Sequence, residues 1–574
     1  MAETIISPGV FQRENDISFI SPAPAEVGAC VIGPTVKGPV EIPTSVTSYN
    51  EYVRVFGETF ESASTKQEFF TSIAAKNYFS QGGNSLLVAR VVTGSYTAAG
   101  STHISASDGN GGTEPFTLET IGKGSIYNNS SASLDAGGQN GDSSLKNGSA
   151  DNLRWEISNK NISKGTFTLS VRRGDDSIKN KIVLETFSNL SLDPNSENYI
   201  EKVVGNQVEA ISGAGDNVTV TGEYVNKSKY VRVNAVNLST INYIGNDGAR
   251  RLDSLTGSLP IEGSGSFFGA TGDNVVGGDN YYDSAAARSQ GLTDGCYTKV
   301  ITLLSNADDY RFNVISAPGL NRNNHSSKIG SLIDLAEGRG DCIFIADLYG
   351  HGGTVSNVTG QADLANSSYA ASYWPWLQTQ SATGKNVWAP ASVFIPGVYA
   401  FTDGSSAPWF APAGLVRGGL VGVIQAERRL SRVQRDSLYD SKVNPIATFP
   451  GTGIAVFGQK TLQTKASALD RVNVRRLLIE LKEFVGNQAQ NLVFEQNTIN
   501  TRNKFLAAVN PYLDTVVSRQ GLYAFRVVMD DSNNSADIVD RNQLVGQIFI
   551  QPAKTAEFIV LDFTVEPTGA TFGA

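Results

Sequence analysis

Histidine and cysteine are scarce: three of each among 574 residues. Cys30, Cys296 and Cys342 stand too far apart for a disulfide framework, and no pair has metal-ligand spacing. His103, His325 and His351 form no spaced pair with another histidine or cysteine, which argues against a metal centre or a histidine-based triad. A phosphate loop is missing as well. Gly263-Ser-Gly-Ser-Phe-Phe-Gly269 misses the G-x-G-x-x-G spacing by one residue and lacks the Lys-Ser/Thr of a P-loop, so it reads as a flexible joint. The acidic pairs Asp308-Asp309 and Asp530-Asp531 lie next to turn residues and read as solvated loops or caps. No apolar run approaches the roughly 18 residues of a membrane span. The opening Met-Ala-Glu-Thr-Ile-Ile has neither the basic nor the apolar region of a secretion signal. Bases do not exceed acids, 46 against 55, for a net charge of −9, which disfavours a general nucleic-acid binder. The expectation is a protein that is not an enzyme and holds no cofactor or metal.

What is present is glycine, 58 residues of it, and a middle rich in serine and asparagine. That composition favours β-structure with long loops. Length alone suggests roughly three or four domains. Val27–Ile32 and Leu86–Val92 are apolar runs bounded by Gly-Pro and by Gly82-Gly83. They read as buried strands, with helices over Ser48–Phe56 and Lys66–Phe79 between them. The same β-α-β pattern resumes with Arg311–Ser316, a helix over Ser326–Glu337 and Asp341–Ala346. Between these halves come alternating strands, among them Leu153–Ile157, Thr166–Val171 and Lys181–Glu185. The fold class expected is therefore α+β multidomain. A discontinuous α/β middle domain spans 23–93 and 296–400, β-rich domains are inserted at 94–295, and an α/β C-terminal domain covers 401–574.

Two regions carry bases on helical stretches. Gly419–Tyr439 contains Arg428, Arg429, Arg432 and Arg435, interspersed with acids, and reads as a helix with a solvated or protein-contacting face. In Arg471–Val485 the apolar residues Val474, Leu477, Leu478, Leu481 and Val485 follow helical spacing. Arg471, Arg475 and Lys482 fall on one side without an acid among them, which points to a partner surface.

The chain ends complete the pattern. Residues 1–22 carry Ile5, Ile6, Val10 and other large apolar residues ahead of any domain, as an extended arm would. Phe558-Ile559-Val560-Leu561-Asp-Phe563 has strong β-propensity. As an unpaired strand it would be an aggregation hazard, and as an exchanged strand it would join neighbouring molecules.

Taken together, these blocks resemble the sheath proteins of contractile phage tails. Ile6-Ser-Pro-Gly-Val10 looks like the family's start, and Ala411-Pro-Ala-Gly414 followed by Arg417-Gly418 like its Ser-Pro-Ala-Gly…Arg-Gly signature with alanine in place of serine. Gln434–Tyr439, Phe449-Pro-Gly-Thr-Gly453, Arg471–Arg476, Asp540-Arg-Asn542 and Gln551-Pro-Ala-Lys554 continue the likeness over roughly 390–574. The resemblance implies a homo-oligomer of stacked hexameric rings around a tail tube protein, with baseplate and tail terminator proteins as further partners. It implies no direct nucleic-acid contact and no membrane insertion. The subunit would assemble in the host cytoplasm, belong to the virion tail and contract to drive the tube through the host envelope. It implies strand exchange through Ile5–Val10 and Phe558–Val565, inserted domains facing outward, and Arg471, Arg475 and Lys482 facing the tube. A tailocin-like injection device would show the same residues. A glycan-binding surface protein, presenting Trp374, Trp376 and Trp409, is the rival from another class.

Overall fold

Strands that read as continuous apolar runs must be covered on both faces, and here they are. Gly28–Gly33 is buried throughout and Leu86–Arg90 nearly so. A computed structural model of the chain describes residues 28–62, 65–107, 113–128, 140, 142, 144–211, 213, 215, 217–245, 248–272, 288–451 and 453–557. Its largest sheet has eight strands. Their order is Thr44–Val46, Leu86–Arg90, Gly28–Gly33, Phe312–Ser316, Ile343–Ala346, Ala370–Trp374, Val443–Phe449 and Gly453–Val456. The six inner strands run parallel and the two outermost are antiparallel to their neighbours.

Alternation divides each strand between two cores. Ala29 and Val31 join Tyr52, Phe56, Phe70, Tyr78 and Phe394 on one face. Cys30 and Ile32 join Tyr297, Leu304, Ile329 and Leu332 on the other. Helices therefore cover both faces, as in a doubly wound fold. Local chemistry sets their limits. The Ser48 hydroxyl accepts from Glu51 N at 3.2 Å to start Tyr49–Phe56. Gly340, in the left-handed region at φ 71°, ends Ser326–Arg339.

The segment between the two halves forms its own body. Its seven antiparallel strands, ordered Val183–Ser191, Thr166–Arg173, Leu153–Asn161, Gly263–Phe268, Ala98–Ser101, Phe116–Lys123 and Val231–Val236, enclose Trp155, Phe167, Leu169, Ile200 and Phe267. Its junction with the eight-stranded sheet is polar. Lys37 pairs with Asp151 at 2.8 Å and Lys229 with Glu51 at 3.3 Å. Gly38 N donates to the Tyr127 hydroxyl at 3.1 Å.

Several expectations differ from this structure. Gly263–Phe268 is an inner strand, not a joint. A Cβ on Gly265 would lie 2.3 Å from Thr102 Oγ1 and 2.5 Å from the Trp155 ring, so its glycine serves close packing rather than flexibility. Gly419–Tyr439 is not one helix. It contains the strand Val423–Ala426 and the helix Arg432–Asp440, which Ser431 and Gln434 open with a capping box. Lys66–Phe79 divides into the strand Thr65–Gln67 and the helix Phe70–Ser80. No break falls at residue 400, because Val443–Phe449 and Gly453–Val456 complete the large sheet. The expected exchange residues Ile5, Ile6, Val10, Phe558, Ile559, Val560, Leu561 and Phe563 lie outside the described residues.

Candidate assembly site

Beyond the eight-stranded sheet, two long helices build a C-terminal module. Val472–Gln490 and Ile499–Ser518 pack through Leu477, Leu481, Phe505, Val509, Leu513 and Val516. The rings of Phe484 and Tyr512 stack at 3.7 Å. Across these helices lie two described strands, Leu522–Val528 and Gln547–Pro552, paired antiparallel. Phe525, Val527, Ile548 and Ile550 face the helices. Tyr523 and Phe549, 64% and 56% exposed, face away. Asn534 organises the connection between the strands: its side chain accepts from Val545 N at 2.7 Å and donates to Val545 O at 2.8 Å.

Among the described residues each of these strands has a single partner. Two-stranded sheets are marginal by themselves, and an open edge is a template for another chain. Among the described residues the module thus offers two unpaired edges on a helical base, and its outer face mixes the exposed Tyr523 and Phe549 with Arg526, Gln547 and Gln551.

Arg471, Arg475 and Lys482 are brought together, but they turn toward their own chain. Arg475 is 4% exposed, its guanidinium lies 3.9 Å from the centre of the Tyr369 ring, and it donates to Ser368 Oγ. Lys482 Nζ donates to the Tyr369 hydroxyl at 2.9 Å. Next to them, the buried Arg476 pairs with Asp403. The expectation of a tube-facing stripe therefore fails at Arg475, which is buried within the subunit. The reason is that long cationic side chains cover apolar surface while their heads seek partners. Burial pushes the Arg475 pKa down, against the pull of Tyr369 and Glu337.

The sequence did not reveal a second anchor, Glu557. Its carboxylate accepts from Tyr439 Oη at 2.8 Å, Gln459 Nε2 at 3.0 Å and Arg471 Nε at 2.8 Å. Burial raises its pKa, but these three bonds outweigh burial and hold it below the ordinary glutamate value. The last described residue is thereby pinned to the large domain.

Elsewhere in the large domain two buried polar side chains, Gln290 and Asp347, stand out. In a doubly wound sheet ligands bind where strand order reverses, here beside the carboxyl ends of Gly28–Gly33 and Phe312–Ser316. Gln290 fills that crevice. Its Oε1 accepts from Phe70 N, at a helix N-terminus, at 2.9 Å, and its Nε2 donates to Pro318 O at 3.0 Å. A carboxamide oxygen thus stands where an anion would bind. The buried Asp347 carboxyl receives only Ser392, Oγ at 2.5 Å and N at 3.3 Å. Burial raises its pKa to about 7. Trp374, Trp376 and Trp409 are buried and form no exposed platform for a glycan. No group of three or more His, Cys, Asp or Glu fit for a metal occurs among the described residues. No helix among them is long and apolar enough to cross a membrane.

A rigid base carrying an unfinished sheet defines a structural assembly protein. Known families agree. Residues 291–462 match the phage tail sheath protein central domain and 464–566 the phage tail sheath C-terminal domain. The tail sheath protein of Vibrio phage KVP40 is 28% identical over 99% of each chain. That of Enterobacteria phage T4 is 38% identical over 33% of this chain and 28% of its own. A sheath tail protein from Listeria innocua, 9% identical, shares the fold over 92% of this chain and 96% of its own, with a TM-score of 0.51. The chain thus carries the central and C-terminal domains of phage tail sheath proteins and is similar to one such protein over nearly its whole length.

Proposed function

We propose that this subunit polymerises as stacked hexameric rings around a tail tube and contracts to drive the tube through the host envelope for genome ejection. One observation carries the reading: among the described residues the two-stranded sheet Leu522–Val528/Gln547–Pro552 has no third strand on either edge. Extended segments from neighbours, with Ile5, Ile6 and Val10 in one and Phe558 to Phe563 in the other, would complete it. Each added backbone hydrogen bond contributes about 1 kcal/mol net. Several per link, repeated over the lattice, would keep subunits connected while whole domains turn as rigid bodies. The tube would lie on the side of the C-terminal module, where Lys482 and the half-buried Arg471 are the bases within reach and Arg475 is not. Baseplate and terminator proteins would bound the polymer, the seven-stranded body would face outward, and assembly would take place in the host cytoplasm.

Deleting residues 558–574 tests the exchange. The expected product is a folded subunit with unchanged circular dichroism that forms no striated cylinders in negative stain. Normal cylinders from the truncated subunit would sink the exchange reading.

A further inference from the structure

On the large domain, away from the unfinished sheet, a groove of about 450 Å³ opens between Val423–Ala426 and Gly453–Val456. Phe401, Leu420, Ile424 and Ile454 are among its lining residues. Val416 in its wall is 84% exposed and Ile424 is 52% exposed. Val423–Ala426 is the outer strand of a three-stranded sheet, with one strand partner among the described residues. Arg429 lines the groove, with Arg428 and Arg432 exposed nearby. None of these three arginines forms an ion pair among the described residues. An exposed apolar trough beside unpaired bases fits an extended apolar segment that carries acids.

Such a segment starts beyond the far end of Gly453–Val456, the strand whose Gly453 and Ile454 line the groove. Glu557 is bonded to Gln459, three residues past the end of Gly453–Val456. The residues that follow, Phe558-Ile-Val-Leu-Asp-Phe-Thr-Val-Glu566, hold six large apolar side chains, two acids and no base. Six of them in extended form span about 20 Å, enough to run back along Gly453–Val456, which at about 3.3 Å per residue is shorter. A tether this short supplies a millimolar effective concentration.

We propose that in the free subunit the C-terminal segment docks in this groove of its own chain, and leaves it only when a neighbour's unfinished sheet becomes available. Docking covers an aggregation-prone strand and withholds one link from the lattice, so untemplated polymerisation is slowed. The restraint on assembly rests on the exchange proposed above, whereas the docking itself does not.

Two measurements on the full-length monomer decide the matter. Hydrogen exchange of Val423–Ala426 is compared between the wild type and Val560→Asp/Leu561→Asp. The expected result is exchange at least about ten-fold faster in the variant, as loss of a tethered ligand implies; equal rates overturn the docking. In a Cys296→Ser background, Ile424→Cys with Val560→Cys should form an intramolecular disulfide. A bond found only between chains, or none, overturns docking within the chain. Ile424→Arg should shorten the lag of tube-free polymerisation several-fold, and an unchanged lag overturns the restraint. Failure of the exchange proposal itself would appear separately, as normal cylinders without residues 558–574.

Discussion

The inserted body and the C-terminal module are both antiparallel sheets on an apolar base, yet they treat their edges in opposite ways. The outer strands of the seven-stranded sheet are interrupted. Register shifts fall between Val183 and Glu185 and between Phe187 and Leu190 on one edge, and between Val233 and Ala235 on the other. Bulges of this kind twist an edge and discourage further pairing. The module's pair runs in regular register from Ala524 to Val528. Both sheets have outer strands with one partner among the described residues, but the seven-stranded sheet breaks register on both outer strands, whereas the module's pair shifts once, between Leu522 and Ala524. On the proposed function, edge geometry more than strand propensity would separate an outward-facing domain from a joining element.

The most damaging test of this contrast gives the module the other sheet's edge. One glycine inserted between Phe525 and Arg526 creates a bulge in the strand. Losing about two hydrogen bonds of about 1 kcal/mol each should raise the critical concentration for sheath formation at least about ten-fold. Sedimentation of the polymer reads it, and unaltered assembly would remove edge regularity as the explanation.

A smaller effect concerns how each body is held. The module is fastened by the buried Arg476–Asp403 pair, the inserted body by the more exposed Lys229–Glu51 pair. Arg476→Ala leaves Asp403 without its partner and should cost about 3 kcal/mol in denaturant unfolding. Lys229→Ala should cost under about 1 kcal/mol. Equal losses would mean that the two attachments are alike.

Distinct in form are the pH effects of two carboxyls, the buried Asp347 and the half-buried Glu557. Asp347 has its pKa raised to about 7 from 3.8. The folded chain therefore holds a proton that the unfolded chain has released, and stability falls as pH rises from about 4 to about 7. Asp347→Asn should flatten the melting temperature across that window. Glu557 has the opposite shift. Its contribution is present above the ordinary glutamate pKa and is lost as pH falls through its lowered value. Glu557→Gln should therefore weaken the anchor at neutral pH and change little in strong acid. A melting profile of Asp347→Asn parallel to wild type would contradict the first assignment.

Much of the architecture could be read from the chain. Val31, Ile32, Val88 and Ile345 sit in unbroken apolar runs, and such runs have few alternatives to a covered parallel strand. The alternation in Thr166–Val171 likewise marked the inserted body. The failures share a cause. Gly265 reads as slack, but Trp155 presses against it, and that partner is more than a hundred residues away. Arg475 reads as surface because its neighbours are helical, while the ring that covers it, Tyr369, comes from another domain. Gly419–Tyr439 held a local signal, Ser431-x-x-Gln434, that places the helix start at Arg432. Glu557 had none, since Tyr439, Gln459 and Arg471 converge on it only in three dimensions. Next to the candidate site, Phe558–Phe563 was legible as a strand with a strong urge to pair, but the open edges of Leu522–Val528 and Gln547–Pro552 were not.

Gln290 gives the large domain its mechanical character. In a topology whose crevice usually opens and shuts around a guest, the chain has mortared the gap with its own amide, bonding one helix start to the far lip at Pro318. A domain wedged in this way behaves as a strut. Torque applied at one end would be delivered at the other with little lost to internal give, which would suit the turning part proposed above.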